Sequence, residues 1–128
     1  MNWAKGQNFE NIATDYMIQR GFCVLDRNWH AGKYGELDLI CKKSESKKDI
    51  LVFIEVKGRN STCFEEDGLN AINQSKAKKL IHSIQAYQEH YEKNHNECNY
   101  EIRFDLILVS SSEQVIHLEN ISLIDFIS

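Results

Sequence analysis

Apolar residues recur at Phe9, Ile12, Ala13, Tyr16 and Met17, the spacing of one helical face, so a first helix is predicted from about Lys5 to Arg20 with its stop at Gly21. The period then shortens to two. Phe22 to Trp29 reads as a strand, His30-Ala31-Gly32-Lys33 as a turn, and Gly35-Glu36-Leu37-Asp38-Leu39-Ile40 as a second strand. Alternation places Leu37 and Leu39 on one face of that strand and Glu36 and Asp38 on the other. The charged stretch Lys42 to Asp49 is expected to be a polar hairpin loop. It leads into Ile50-Leu51-Val52-Phe53-Ile54-Glu55-Val56-Lys57, in which Val52, Ile54 and Val56 face a core while Glu55 and Lys57 share the opposite side.

Gly58 to Gly68 is expected to form an irregular lip over that strand end. A long helix follows, from about Asn70 or Asn73 to Glu92, with Ala77, Leu80, Ile81, Ile84, Tyr87 and Tyr91 as its buried stripe. Gln74 extends the stripe by one turn, as a polar amide facing the core that either reaches the candidate metal site described below, as a supporting group, or caps and bonds backbone. Tyr100 to Val109 reads as a buried strand, Ser110-Ser111-Ser112 as a loop, Val115 to Leu118 as a short strand and Ile121 to Ile127 as a short helix or edge segment. The order helix, three strands, helix, strand predicts one α/β domain over residues 1–128 with a central mixed sheet. A length of 128 residues with 42% hydrophobic content is enough to build its core.

Pairing of the second and third strands brings Asp38, Glu55 and Lys57 together. Two carboxylates offer hard oxygen donors for Mg²⁺ or Mn²⁺, and a cation so held neutralises phosphate charge and lowers the pKa of an attacking water. Lys57 is then placed to orient or deprotonate that water. The competing reading is a set of salt bridges on an exposed sheet face. Leu37, Leu39, Ile54 and Val56 make both strands central rather than peripheral, which argues for a used site. Glu36 shares Asp38's face and is expected at the rim as a supporting group. Arg103 and Asp105 also share a face, and a strand-borne Arg-Asp pair is read as structural.

Five stretches carry a resemblance to a known family: Gly6-Gln7-Asn8-Phe9-Glu10, Gly21-Phe22 to Arg27-Asn28, Gly35 to Ile40, Phe53-Ile54-Glu55-Val56-Lys57-Gly58-Arg59, and Arg103-Phe104-Asp105. In order and spacing the chain resembles the YraN-like family of uncharacterised bacterial proteins, predicted endonucleases of the PD-(D/E)XK superfamily that are distantly similar to Holliday-junction resolvases. The resemblance implies a restriction-endonuclease-like core and a metal held by Asp38, Glu55 and the Val56 carbonyl. It also implies Glu10 as an additional helix-borne carboxylate of that site, products bearing a 5′-phosphate, and, for a branched substrate, a two-fold dimer. The long charged linker from Lys42 to Asp49 and the absence of proline depart from the family pattern without touching the motif.

A net charge of −4 argues against coating nucleic acid by bulk electrostatics, so contact with DNA has to be local. Lys57, Arg59, Lys76, Lys78 and Lys79 form a candidate basic rim, with Arg59, Lys76 and Lys79 the expected nucleic-acid contacts. A solvated helix face is the other reading of the helical lysines. Cys23, Cys41, Cys63 and Cys98 are scattered, with neither a Cys-x-x-Cys pair nor a nearby histidine, and are expected as reduced, packed thiols. The five histidines show no metal or nucleophile spacing, and no glycine-rich phosphate loop is present. Met1-Asn2-Trp3-Ala4-Lys5 lacks an apolar signal core and the apolar runs fall well short of the ~20 residues that span a bilayer, so a cytoplasmic protein with no membrane partner is expected.

The sequence therefore predicts a metal-dependent endonuclease acting on DNA, with branched DNA as one substrate form and RNA not distinguished by the chemistry alone. The alternative is a catalytically silent nuclease-fold module that binds nucleic acid or a protein partner.

Overall fold

The computed structural model of the chain describes residues 5–59, 69–70, 72–96 and 99–127. The expected lip lies outside these residues from position 60 to 68, as do Cys63 and Cys98. Helix α1 spans Lys5–Gln19 and is followed by strands β1 (Cys23–His30), β2 (Glu36–Glu45) and β3 (Lys48–Arg59). Helix α2 (Gln74–His95) then crosses to β4 (Tyr100–Ser110), and β5 (Val115–Leu118) completes the sheet. The five strands lie in the order β1-β2-β3-β4-β5, antiparallel except for the parallel pair β3 and β4. This is the predicted α/β class with a central mixed sheet, and it is compatible with a nuclease-like core.

Each helix seals one face of the sheet. Ala13 and Met17 of α1 pack on Leu39, Cys41, Val52, Ile54, Ile107 and Val109. Ala77, Leu80, Ile84, Tyr87 and Tyr91 of α2 pack on Ile40, Leu51, Phe53, Phe104, Leu106 and Leu108. With both faces covered, β3 and β4 read as nearly continuous apolar runs. Any polar group on their inner positions is consequently drawn out of water. Asn73 caps α2 through its side chain, which accepts the Lys76 N–H at 2.8 Å. No helix among the described residues is long and apolar enough to cross a membrane.

Three expectations are corrected. The charged stretch from Lys42 to Asp49 is strand rather than loop: the β2–β3 ladder continues to Glu45↔Lys48, leaving Ser46 and Lys47 to turn the chain. Ser46 takes the left-handed backbone that a tight turn needs (φ 47°), and its flanking charges are satisfied across the ladder by Lys42–Asp49 (3.2 Å) and Ser44–Asp49 (2.8 Å). Leu37 and Leu39 do not share a face, since Leu37 joins the α2 layer and Leu39 the α1 layer. The register places Asn28, with φ 50°, opposite Asp38 between the pairs Arg27↔Leu39 and Trp29↔Leu37. A left-handed residue there breaks the simple alternation. Cys23 is exposed at the start of the edge strand β1, whereas Cys41 is buried, its thiol pushed up to about 12 by that burial.

Candidate metal centre

The β2–β3 ladder runs inward from the hairpin and ends at Leu39↔Ile54. One residue further on, Asp38 Oδ2 accepts the Val56 N–H at 2.9 Å, so a side chain takes the place of the ladder bond. The strands part at this point, and the parting gives Asp38 and Glu55 room to meet. Glu55 alternates with Leu51 and Phe53 and so points toward α2, where it is only 3% exposed. Its Oε2 lies 2.9 Å from Lys76 Nζ and 3.5 Å from Lys57 Nζ. The expected convergence of Asp38, Glu55 and Lys57 is present.

The Asp38 carboxyl is raised to about 7. Burial is the largest cause, followed by the Glu55 charge; a hydrogen bond with Glu55 and the charge of Glu10 push the same way, and the Val56 N–H opposes them. Two carboxylates this close cannot both stay ionised cheaply unless a cation sits between them. All the donors are hard oxygens, so the set fits Mg²⁺ or Mn²⁺ and not a soft, thiolate-seeking ion. Asp38, Glu55 and the Val56 carbonyl would hold it, with Glu10 nearby.

Glu10 is brought to this end of the sheet by close packing. A Cβ on Gly58 would lie 1.8 Å from the Phe9 ring, so only glycine lets helix α1 seat its first turns on β3. Glu36 is half-buried and lies 3.5 Å from His30 Nε2. Arg59 ends β3, donating from Nη1 to the Gly58 carbonyl at 2.9 Å, and Lys79 is exposed on α2. Gln74 does not face the core as expected. The cap at Asn73 makes Gln74 the exposed first residue of α2, and helical phase turns Ala77 and Leu80 inward instead.

Lys76, read from sequence as a phosphate contact, is the α2 side chain that reaches Glu55. The signal for this was present in the helical row: Lys76 stands one turn before Leu80, Ser83, Tyr87 and Tyr91, all buried. A lysine on that row had to find an acid near the sheet.

Sequence reasoning passed over His117. Asp105, His117 and Glu119 have ligand atoms within 4.8 Å of one another, a grouping with metal-ligand character. Arg103 already serves these acids: it donates to both oxygens of Asp105 at 2.9 Å and lies 3.4 Å from Glu119. His117 Nε2 is 2.7 Å from Asp105 Oδ2, and the Asn120 N–H donates to Oδ1 at 2.9 Å. Every lone-pair direction of Asp105 is spoken for, which makes this a structural network, as the Arg103–Asp105 pair was read. His117 also approaches the Tyr16 hydroxyl at 3.3 Å, joining α1 to β5.

A mixed α/β fold compatible with a nuclease-like core, with paired carboxylates and lysines where its central strands part, is the class these features define. Its family is shown by sequence. The model of "Uncharacterised protein family UPF0102" matches residues 9–109, and the chain belongs to that family, as its resemblance to the YraN-like proteins implied. A UPF0102 protein of Vibrio vulnificus is 34% identical over 109 residues, covering 85% of this chain and 83% of that protein. One from Campylobacter fetus is 34% identical over 113 residues, covering 88% of each. Among solved structures, Pyrococcus furiosus SfsA in complex with Ca²⁺ aligns over 89% of this chain and 62% of that one, at 15% identity and a TM-score of 0.27. A likeness of that degree bears on neither fold nor function.

Proposed function

We propose that this protein is a Mg²⁺- or Mn²⁺-dependent phosphodiesterase that hydrolyses DNA, with Asp38, Glu55 and Lys57 as its catalytic residues. The observation that carries the reading is the meeting of Asp38 and Glu55 at the parting of two central strands, where burial and mutual repulsion hold Asp38 near pH 7. A bound cation would supply charge neutralisation at phosphate and an acidified water. Asp38 and Glu55 would orient it, and Val56, whose N–H anchors Asp38, lends a carbonyl. Lys57 stands on the same strand face as Glu55, where an ammonium can hold water beside a phosphate. Glu10, whose charge acts on Asp38, would be the additional carboxylate. Branched DNA, cut by a two-fold dimer to leave 5′-phosphates, is the substrate form the resemblance favours.

One observation supports a second reading, a silent module that binds nucleic acid or a protein. Lys76 lies closer to Glu55 than Lys57 does, and an ammonium at 2.9 Å already neutralises a carboxylate that a metal would use. Cleavage assays decide between them: linear, nicked, flap and four-way-junction DNA with single-stranded RNA, in Mg²⁺ or Mn²⁺, against Asp38→Ala and Lys57→Ala. The enzyme reading expects metal-dependent cleavage lost in both variants. A folded wild type that neither cuts any of these nor binds Mn²⁺ would establish the silent module instead.

A further inference from the structure

Beside the carboxylates, between the Gly32–Tyr34 turn and the first turns of α2, lies a hollow of about 230 Å³ lined by Lys33, Tyr34, Glu36, Lys76, Lys79 and Ser83. Lys76 is common to both places, since its ammonium lies 2.9 Å from Glu55, so the hollow adjoins the acidic site directly. We propose that this hollow is a phosphate subsite, which grips the phosphodiester of the substrate strand next to the one presented to Asp38 and Glu55, with Lys33 and Lys79 as its ligands.

Charge supports this assignment. Three ammonium groups and one carboxylate line the hollow, and Lys76 is engaged by Glu55 while Glu36 leans toward His30 at 3.5 Å. Neither Lys33 nor Lys79 has a carboxylate partner among the described residues. The walls are also set in advance. Ala31 donates to the Gly35 carbonyl at 2.8 Å and Gly35 donates back to the Gly32 carbonyl at 3.3 Å, closing the turn that carries Lys33. Gly35 sits at φ 108°, a conformation open to glycine. The Tyr34 ring stacks on His82 with centroids 4.8 Å apart, and Ser83 Oγ donates to the Tyr34 carbonyl at 3.4 Å, pinning the turn to α2. Lys33 Nζ lies 5.4 Å from the Tyr34 ring centre, which orients an otherwise mobile side chain. A hollow of about 230 Å³ has room for a phosphate group. His82 stacks on the Tyr34 ring and Lys33 stands beside it, so the lining offers ammonium groups to a phosphate.

The identity of the ligand rests on the phosphodiesterase reading, and the test separates the two. Binding of a fluorescein-labelled single-stranded DNA 12-mer is measured by anisotropy in Ca²⁺ across a salt series, in wild type and in Asp38→Ala protein, each with Lys33→Ala/Lys79→Ala added. The subsite predicts that the double substitution weakens binding about tenfold and lowers the slope of log K against log salt by about 1.4, two contacts' worth on a single strand. Lys33→Arg/Lys79→Arg restores most of the slope, and Lys48→Ala at the far hairpin leaves it unchanged. An unaltered slope in the double alanine variant overturns the proposal. Because binding is read in Asp38→Ala protein as well, failure to cleave under any condition would remove the catalytic reading while leaving the subsite to stand or fall on its own slope.

Discussion

Lys76 on α2 and Glu55 on β3 form the closest cation–carboxylate contact of the central site, 2.9 Å between Nζ and Oε2. Glu55 is nearly inaccessible, so the pair ties the first turns of the helix to the strand end on which the chemistry depends. A double-mutant cycle of Glu55→Gln and Lys76→Met, read by urea denaturation, should give a coupling of about 0.5–3 kcal/mol, and near-zero coupling would mean that solvent screens the contact.

Asp38 makes the site a source of instability that depends on pH. Its carboxyl is raised from 3.8 to about 7, so between those values the folded protein keeps a proton that the unfolded chain has released. Stability contributed by this group is therefore full below about pH 4 and declines as pH rises through 7. Asp38→Asn, which can still accept the Val56 N–H, should raise the melting temperature at pH 8 and leave it unchanged at pH 3.5. Mg²⁺ should raise the melting temperature of the wild type at pH 8 and do little for the variant. Equal melting temperatures for the two proteins at pH 8 would show that Asp38 is not strained there.

Gly58 sets the distance between α1 and β3. Gly58→Ala puts a methyl 1.8 Å from the Phe9 ring, so the helix has to move. Overpacking of this kind costs about 1–3 kcal/mol, and the displaced helix carries Glu10 with it. Thermal denaturation should show the loss, and Phe9→Leu added to Gly58→Ala should recover most of it. Full stability in the single variant would contradict the packing.

Asp105, in the middle of β4, anchors a network with Arg103, His117 and Asn120. Asp105→Ala leaves Arg103 and His117 without their shared carboxylate and should cost about 3–5 kcal/mol. The hydrogen bonds from His117 and Arg103 outweigh burial and hold the Asp105 carboxyl below its usual range. Its contribution is therefore present above pH 3.8 and is lost as the pH falls through the lower, folded value. Acid titration followed by circular dichroism should show the variant lacking that transition.

Much of this was legible in alternation. Glu55 and Lys57 share a face of β3 because a strand repeats every two residues, and Val52, Ile54 and Val56 fell on the other layer for the same reason. Alternation misled at Leu37 and Leu39, since nothing in the letters announces that Asn28 takes a left-handed backbone opposite Asp38. The charge of Lys42 to Asp49 suggests a loop, yet the cross-strand Lys42–Asp49 bridge makes charge compatible with a ladder. Gln74 and Lys76 exchanged places because the cap at Asn73 fixes the phase of α2, and two residues on a helix separate opposite faces. His117 had no signal, as its partner Asp105 lies on a neighbouring strand at a separation no local motif spans.

The parallel ladder joining β3 to β4 also governs the order in which the molecule can be made. The meander from β1 to β3 closes through near neighbours in the chain, but each β3 residue pairs with one roughly fifty positions later, after α2 has crossed the sheet. On a ribosome, β3 waits with one edge unpaired until β4 emerges. Glu55 and Lys57 sit on that waiting strand and gain their β4 neighbours, Leu106 and Leu108, only when it docks.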